Sequence, residues 1–197
     1  MRKRNTAPAI VLFLLLVILL LIAALVGVAH AEEPPVRTAR QEALHEAADI
    51  LRSLGYSEDS PAILALGEAW MAEQEALDIV AKVIQNEADP AWCEWEHSVA
   101  VGAVVCNRVA SPWFPNTVRE VVAQPGQYLK SYTYDFAGTS RLAYLAAKAA
   151  LYGDHDVPDD AYWQDNNVQG NSIWRTFVCD TEHFYSVTYI CRGIYGI

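Results

Sequence analysis

One carboxylate stands where an amphipathic stretch meets an apolar one. Ile84-Gln85-Asn86-Glu87-Ala88 precedes Val99-Ala100-Val101-Gly102-Ala103-Val104-Val105-Cys106-Asn107-Arg108-Val109. A glutamate held against an apolar wall tends to keep its proton near neutral pH, because burial disfavours the charged form. That is the state a general acid needs to cleave a sugar–sugar bond. On position alone, an ordinary helix-end glutamate facing water fits Glu87 at least as well. Retaining and inverting glycosidases use a second carboxylate, and Glu94, Glu96, Asp154, Asp156 and Asp165 are the candidates. Of these, Glu94 and Glu96 read better as solvated loop charges. His97, His155 and His183 form no His-Glu-x-x-His and no paired ligand spacing, so no metal and no cofactor is expected. Cys106 lies within an apolar helical run, where thiols are inert, which argues against a cysteine peptidase.

The elements that must position these groups follow from periodicity and punctuation. Residues 39–54 repeat Leu44, Ala47, Ala48 and Leu51 at helical spacing and stop at Gly55. Pro61 suits a first helical position, and a second helix is expected over 61–75. This helical pair is either a stalk or a part packed on the domain. A third helix is expected from Glu75 to Gln85, with Leu77, Val80, Ala81 and Ile84 on one face and Ala88 continuing it. Glu87 falls at the edge of that face, beside Val80. Asp89-Pro90 ends the helix. Residues 98–109 read as a central buried helix, apolar on nearly every side until Asn107-Arg108. Thr117 with Glu120 has capping-box spacing and starts a short helix ending before Gln124-Pro125-Gly126. Ser140 to Tyr152 is helical, closed by Gly153. Tyr162-Trp163 and Phe184-Tyr185-Ser186-Val187-Thr188-Tyr189-Ile190 favour strands. The class expected is α+β, helix-dominated.

The N-terminus reads as targeting. Arg2-Lys3-Arg4 precedes an uncharged apolar run from Ala9 to Ala29, then Ala29-His30-Ala31, a small-x-small cleavage pattern. Residues 1–31 are expected to be a signal peptide or an N-terminal membrane anchor, residues 32–74 a linker and helical stalk, and residues 75–197 the catalytic domain. The exported part is acidic. The chain has 14 Lys+Arg against 24 Asp+Glu, net −10, and removing Arg2, Lys3 and Arg4 leaves 11 against 24, or −13. That balance argues against nucleic acid and anionic membrane surfaces as partners, and says little against carbohydrate. Four cysteines, Cys93, Cys106, Cys179 and Cys191, are an even number in an exported chain and are disulfide candidates. The local pairing, Cys93 with Cys106 and Cys179 with Cys191, is the expectation, with buried thiols as its alternative.

The Glu-Ala step, the Val-Ala-Val-Gly-Ala-Val-Val-x-Asn-Arg-Val block, Ser-Pro-x-Phe-Pro-Asn-Thr-Val and Gln-Pro-Gly-Gln-Tyr occur in this order. Together they resemble the cell wall hydrolase family typified by the spore cortex-lytic enzyme SleB, across about residues 77–190. The resemblance implies a lysozyme-like, lytic transglycosylase-like catalytic domain that cuts the glycan of peptidoglycan after N-acetylmuramic acid. It implies Glu87 as the catalytic residue, peptidoglycan strands as the partner, and a monomer. Gln127 and Tyr128, exposed by the Pro-Gly turn, are candidate substrate-binding residues, or else a turn with a packed tyrosine. Tyr162 and Trp163 could stack on sugar rings, with a core role expected for one of them. His183 matches a His-x-Phe-Tyr-like block, as a substrate-side or a structural histidine. The chain departs from the pattern after Glu87-Ala88, where Asp89 to Glu96 is longer and carries no Arg-Gly. It departs again at Ala161-Tyr162-Trp163-Gln164-Asp165-Asn166, which lacks the family's proline. An amidase cutting the peptide stem and a non-catalytic, membrane-tethered peptidoglycan-binding protein are the rival readings.

Overall fold

The structure is a computed structural model and describes residues 36–128, 138–182 and 184–194. The expected signal or anchor segment and His183 lie outside the described residues. Among those described, no helix is long and apolar enough to cross a membrane. The element order is α1 (Ala39–Ser53), α2 (Pro61–Glu87), α3 (Trp95–Ala110), α4 (Val118–Val122), α5 (Arg141–Tyr152), β1 (Ala161–Asp165), β2 (Ser172–Thr181) and β3 (Phe184–Arg192). The class is α+β with helices dominant.

Local chemistry explains most boundaries. Thr38 opens α1 with a reciprocal cap: its hydroxyl accepts from Gln41 N at 3.1 Å, and its own N–H donates to Gln41 Oε1 at 3.0 Å. Gly55, at φ 89°, closes that helix in a conformation that L side chains avoid. Ser60 and Pro61 start α2. The expected break near residue 75 does not occur. Glu73-Gln74-Glu75-Ala76-Leu77 are all strong helix formers with no stop residue among them, so one helix runs through 27 residues. The α1–α2 pair packs on the rest. Gln41 Nε2 donates to Gln74 Oε1 at 2.8 Å, and the Tyr152 hydroxyl of α5 accepts from Arg40 N at 2.8 Å while donating to Glu73 at 2.7 Å. Residues Val36–Ile197 form one compact unit.

The core lies where α2, α3 and α5 meet. Leu77, Val80, Ala81 and Ile84 from α2, the run 98–105 of α3, and Ala143, Ala146, Ala147 and Ala150 of α5 are buried together. Small residues on α5 and Gly102 on α3 let the helix backbones approach closely. A Cβ at Gly102 would stand 2.8 Å from Ala150 Cβ and 2.9 Å from Ile84 Cδ1.

The sheet is antiparallel, in the order β1-β3-β2. β1 and β3 are the strands expected from Tyr162-Trp163 and from 184–190. β2 has no counterpart among the sequence expectations. Its register shifts between Ile173 and Arg175, which interrupts the alternation that would mark a strand, yet Phe177 and Cys179 still point inward.

The disulfide corrects the local pairing. Cys93 bonds Cys179, across 86 residues, while Cys106 and Cys191 are free thiols. It ties the loop after α2 to β2. Beside it the buried His97 ring stacks on Phe177 at 4.8 Å, with Nδ1 3.6 Å from Cys179 Sγ. Burial pushes His97 down to about 4.

Two outcomes follow from this packing. Gly102→Ala is expected to destabilise the fold by about 1–3 kcal/mol, read as a lower denaturant midpoint, because the Ala150 Cβ cannot move without opening the helix contact. For His97, the folded value lies below the ordinary 6.5, so the unfolded chain binds the proton more readily. Stability from this group is therefore complete above pH 6.5 and is lost as pH falls toward 4, on the order of 3 kcal/mol in total. Urea titrations across that window should show the loss in the parent and a flatter profile in His97→Asn; equal slopes would contradict it.

Candidate active site

Two adjacent polar residues end the apolar helix α3, and both reach the sheet. Asn107 Nδ2 donates to the carbonyls of Pro158 at 2.8 Å and Ala161 at 3.0 Å, fixing the start of β1. Arg108 is buried, only 1% exposed. Its Nε donates to the Tyr162 carbonyl at 2.7 Å, and a terminal N–H donates to Gln127 Oε1 at 2.6 Å. Its guanidinium carbon lies 5.2 Å from the Phe114 ring centre, 5.4 Å from Tyr128 and 5.3 Å from Trp163. Those ring faces carry the negative end of the aromatic quadrupole and solvate a cation that water does not reach. Asn107 and Arg108 appear in the sequence only as the polar end of a buried helix. The one available signal is a full charge placed where the apolar face has not yet ended.

Around this cation opens a groove of about 420 Å³. Four of the expected site residues line it: Glu87, Gln127, Tyr128 and Trp163. The lining also includes Asp165, one of the candidate second carboxylates, together with Gln164, Gln169 and Ser186 to Thr188 on the central strand β3, which sequence reasoning did not assign to a site. Tyr162 does not line the groove. Its carbonyl serves Arg108 and its half-buried ring packs on Phe114 at 5.6 Å, and neither Tyr162 nor Trp163 belongs to the buried core. The Trp163 indole N–H is fixed on the Gly193 carbonyl at 2.7 Å, which sets the plane of the ring.

Glu87 stands on the last turn of α2, and the chain turns sharply just after it. Ala88 is buried and leaves helical geometry; its N–H still donates to Ile84 O at 2.9 Å, and its carbonyl accepts the Ser98 hydroxyl at 2.6 Å. The backbone beside the acid is thus tied to both helices. The side chain itself is exposed on the groove side. This corrects the expected apolar enclosure: the buried face comprises Ile84 and Ala88, and Glu87 lies outside it. The charge of Glu87 is nonetheless felt within the groove. Burial pushes the Tyr128 hydroxyl up to about 12, with Arg108 drawing it down and Glu87 pushing it further up. That hydroxyl and Gln164 Oε1 are buried polar atoms without a hydrogen-bond partner, both in the wall of the groove.

Of the further carboxylates, only Asp165 lines the groove. Its Oδ1 accepts from Asn167 N at 3.1 Å and its Oδ2 is contacted by Gln169 Nε2. Asp156 pairs with Arg175 at 3.5 Å, while Glu94 and Glu96 are exposed outside the groove. Among the described residues, one group of potential metal ligands lies close together, Cys93, His97 and Cys179, and its two sulfurs are bonded to each other.

Residues 94–186 match the family model described as Cell Wall Hydrolase. The matched stretch is shorter than the 77–190 expected from motifs; it includes the Arg108 helix, the Pro-Gly turn and most of the sheet, and begins after Glu87. Among solved structures, the chain is similar to the catalytic domain of the Bacillus cereus SleB protein, at 23% identity and a TM-score of 0.44, over 60% of this chain and 91% of that one. No curated protein matches the sequence. The stretch 94–186, which contains most of the groove, is similar to the cell wall hydrolase family.

Proposed function

We propose that this protein cleaves the glycan strand of peptidoglycan after N-acetylmuramic acid, as a lytic transglycosylase with Glu87 as its one acid–base group. The observation that carries the reading is the sharing of one groove by Glu87, the Pro-Gly turn residues Gln127 and Tyr128, and the indole of Trp163. A saccharide ring presents an apolar C–H face to the indole and polar edges to the amides.

Glu87 protonates the glycosidic oxygen as the bond to the anomeric carbon breaks. The resulting carboxylate then takes the proton of that sugar's own 6-hydroxyl, whose oxygen closes on the anomeric carbon. The proton balance returns Glu87 to its starting state, and the product carries a 1,6-anhydro ring. No water and no second carboxylate takes part. Because Glu87 is exposed on the groove side, the glycan itself covers the acid once the strand lies in the groove. The substrate lies outside the membrane, so the protein acts extracytoplasmically as a monomer, with residues 1–31 as signal or anchor.

One observation favours a second reading, ordinary hydrolysis: Asp165 lines the same groove and is held by Asn167 and Gln169. With Glu87 as acid it would supply the second carboxylate of a hydrolase. Mass spectrometry of released muropeptides separates the two, since anhydro ends mark the transglycosylase and reducing ends the hydrolase.

Glu87→Gln is expected to lower the rate of glycan cleavage by about 10²–10⁴-fold while leaving the unfolding midpoint in place, because the side chain is exposed. Full activity in that variant would remove Glu87 from the chemistry. A chelator is expected to leave turnover unchanged. Inactivation reversed by zinc, with free stem peptides as products, would instead identify an amidase; binding without clearing would identify a scaffold.

A further inference from the structure

The Arg108–Gln127 contact has a consequence for what the groove can recognise. A guanidinium has donors only. The atom of Gln127 that faces it at 2.6 Å must therefore be the carbonyl Oε1, since a flipped amide would set N–H against N–H. Arg108 cannot swing away to release it. Its Nε is held by the Tyr162 carbonyl, and three rings enclose the cation. The backbone of Gln127 is fixed too, by its N–H on Gln124 O at 3.2 Å within the turn that Gly126 makes at φ 77°. With the carbonyl end anchored, Nε2 takes the other branch of the planar amide and keeps its two N–H groups for other partners. Gln127 is exposed and lines the groove that holds Glu87. The groove thus offers an oriented pair of neutral donors that the fold does not allow to become acceptors.

Several groups on a glycan could meet those donors. A carboxylate would lie in the same groove as the charges of Glu87 and Asp165. A sugar hydroxyl is satisfied by either face of an amide and would need no anchoring. An acetamido carbonyl is a strong neutral acceptor and is the group for which a locked donor discriminates. Resting on the glycan-cleaving reading above, we propose that Gln127 reads the N-acetyl group of a 2-acetamido sugar seated beside Glu87, its Nε2 donating to the acetamido carbonyl. Arg108 is the positioning residue that fixes which end of the amide faces the sugar.

Binding and cleavage test the two readings separately. The full chain carrying Glu87→Gln would be co-sedimented with insoluble peptidoglycan, either fully N-acetylated or enzymatically N-deacetylated. Deacetylation is expected to weaken binding on the order of tenfold. Adding Gln127→Ala to Glu87→Gln should abolish that difference. Gln127→Glu keeps an acceptor for Arg108 but has no N–H to offer, and should behave like the alanine variant. Arg108→Met frees the amide to flip and should shrink the difference while retaining some of it; an unchanged difference would remove Arg108 from the role. An equal penalty with and without Gln127, or none in the Glu87→Gln parent, would overturn the acetamido assignment. The parent chain's clearing of N-acetylated peptidoglycan reports on the glycan-cleaving reading by itself. Circular dichroism spectra and unfolding midpoints that match the parent exclude misfolding as the cause.

Discussion

The groove depends on a buried cation that has no carboxylate bonded to it among the described residues. Arg108 gives up water for two carbonyl oxygens and the faces of three aromatic rings. Burying an unpaired charge is costly unless its surroundings are polar in the right directions. Here those surroundings come from separate parts of the chain: Phe114 from the loop after α3, Gln127 and Tyr128 from the Pro-Gly turn, and Tyr162 and Trp163 from β1. Each is tethered to the others because each contacts the same guanidinium. A neutral side chain at this place would lose the two hydrogen bonds that tie the helix to the turn and to β1.

A second constraint acts on the other rim. Glu87 ends a helix whose last turn is held by a carbonyl to the Ser98 hydroxyl, and the following loop is bonded to β2 through Cys93 and Cys179. His97 fills the space between that disulfide and Phe177. The acid is thus placed by the rigid packing of α2 on α3, while the recognising amide is placed by Arg108. The two rims are fixed by independent means.

Local signals in the sequence are legible where the chemistry is local. The helix start at Pro61, the cap at Thr117, the glycine stops at Gly55 and Gly153, and the apolar faces of α2 and α3 lie where spacing and residue type place them. Errors arise where distant residues decide. The disulfide joins positions 86 residues apart, and no spacing rule favours that over the nearer pairs. The continuous α2 follows from the absence of any breaker near residue 75, a weaker sign than a stop residue. Strand β2 is hidden by its bulge. The candidate site is half legible. Glu87, Gln127, Tyr128 and Trp163 share one groove, but Arg108, which contacts three of them, reads only as the polar end of a buried helix.

Glu87 is exposed on the groove side, so a bound strand would itself form part of the acid's surroundings. An acid enclosed by its own helix would be ready whether or not a strand were bound. An acid on the exposed rim is covered further when a strand binds, and on the proposed reading the covering ring is the one seated against Trp163 and read by Gln127. Desolvation of the acid then becomes a result of correct binding rather than a property of the resting protein. Recognition and covering of the acid are coupled through the substrate, which gives a physical reason for Gln127 and Trp163 to be held so firmly.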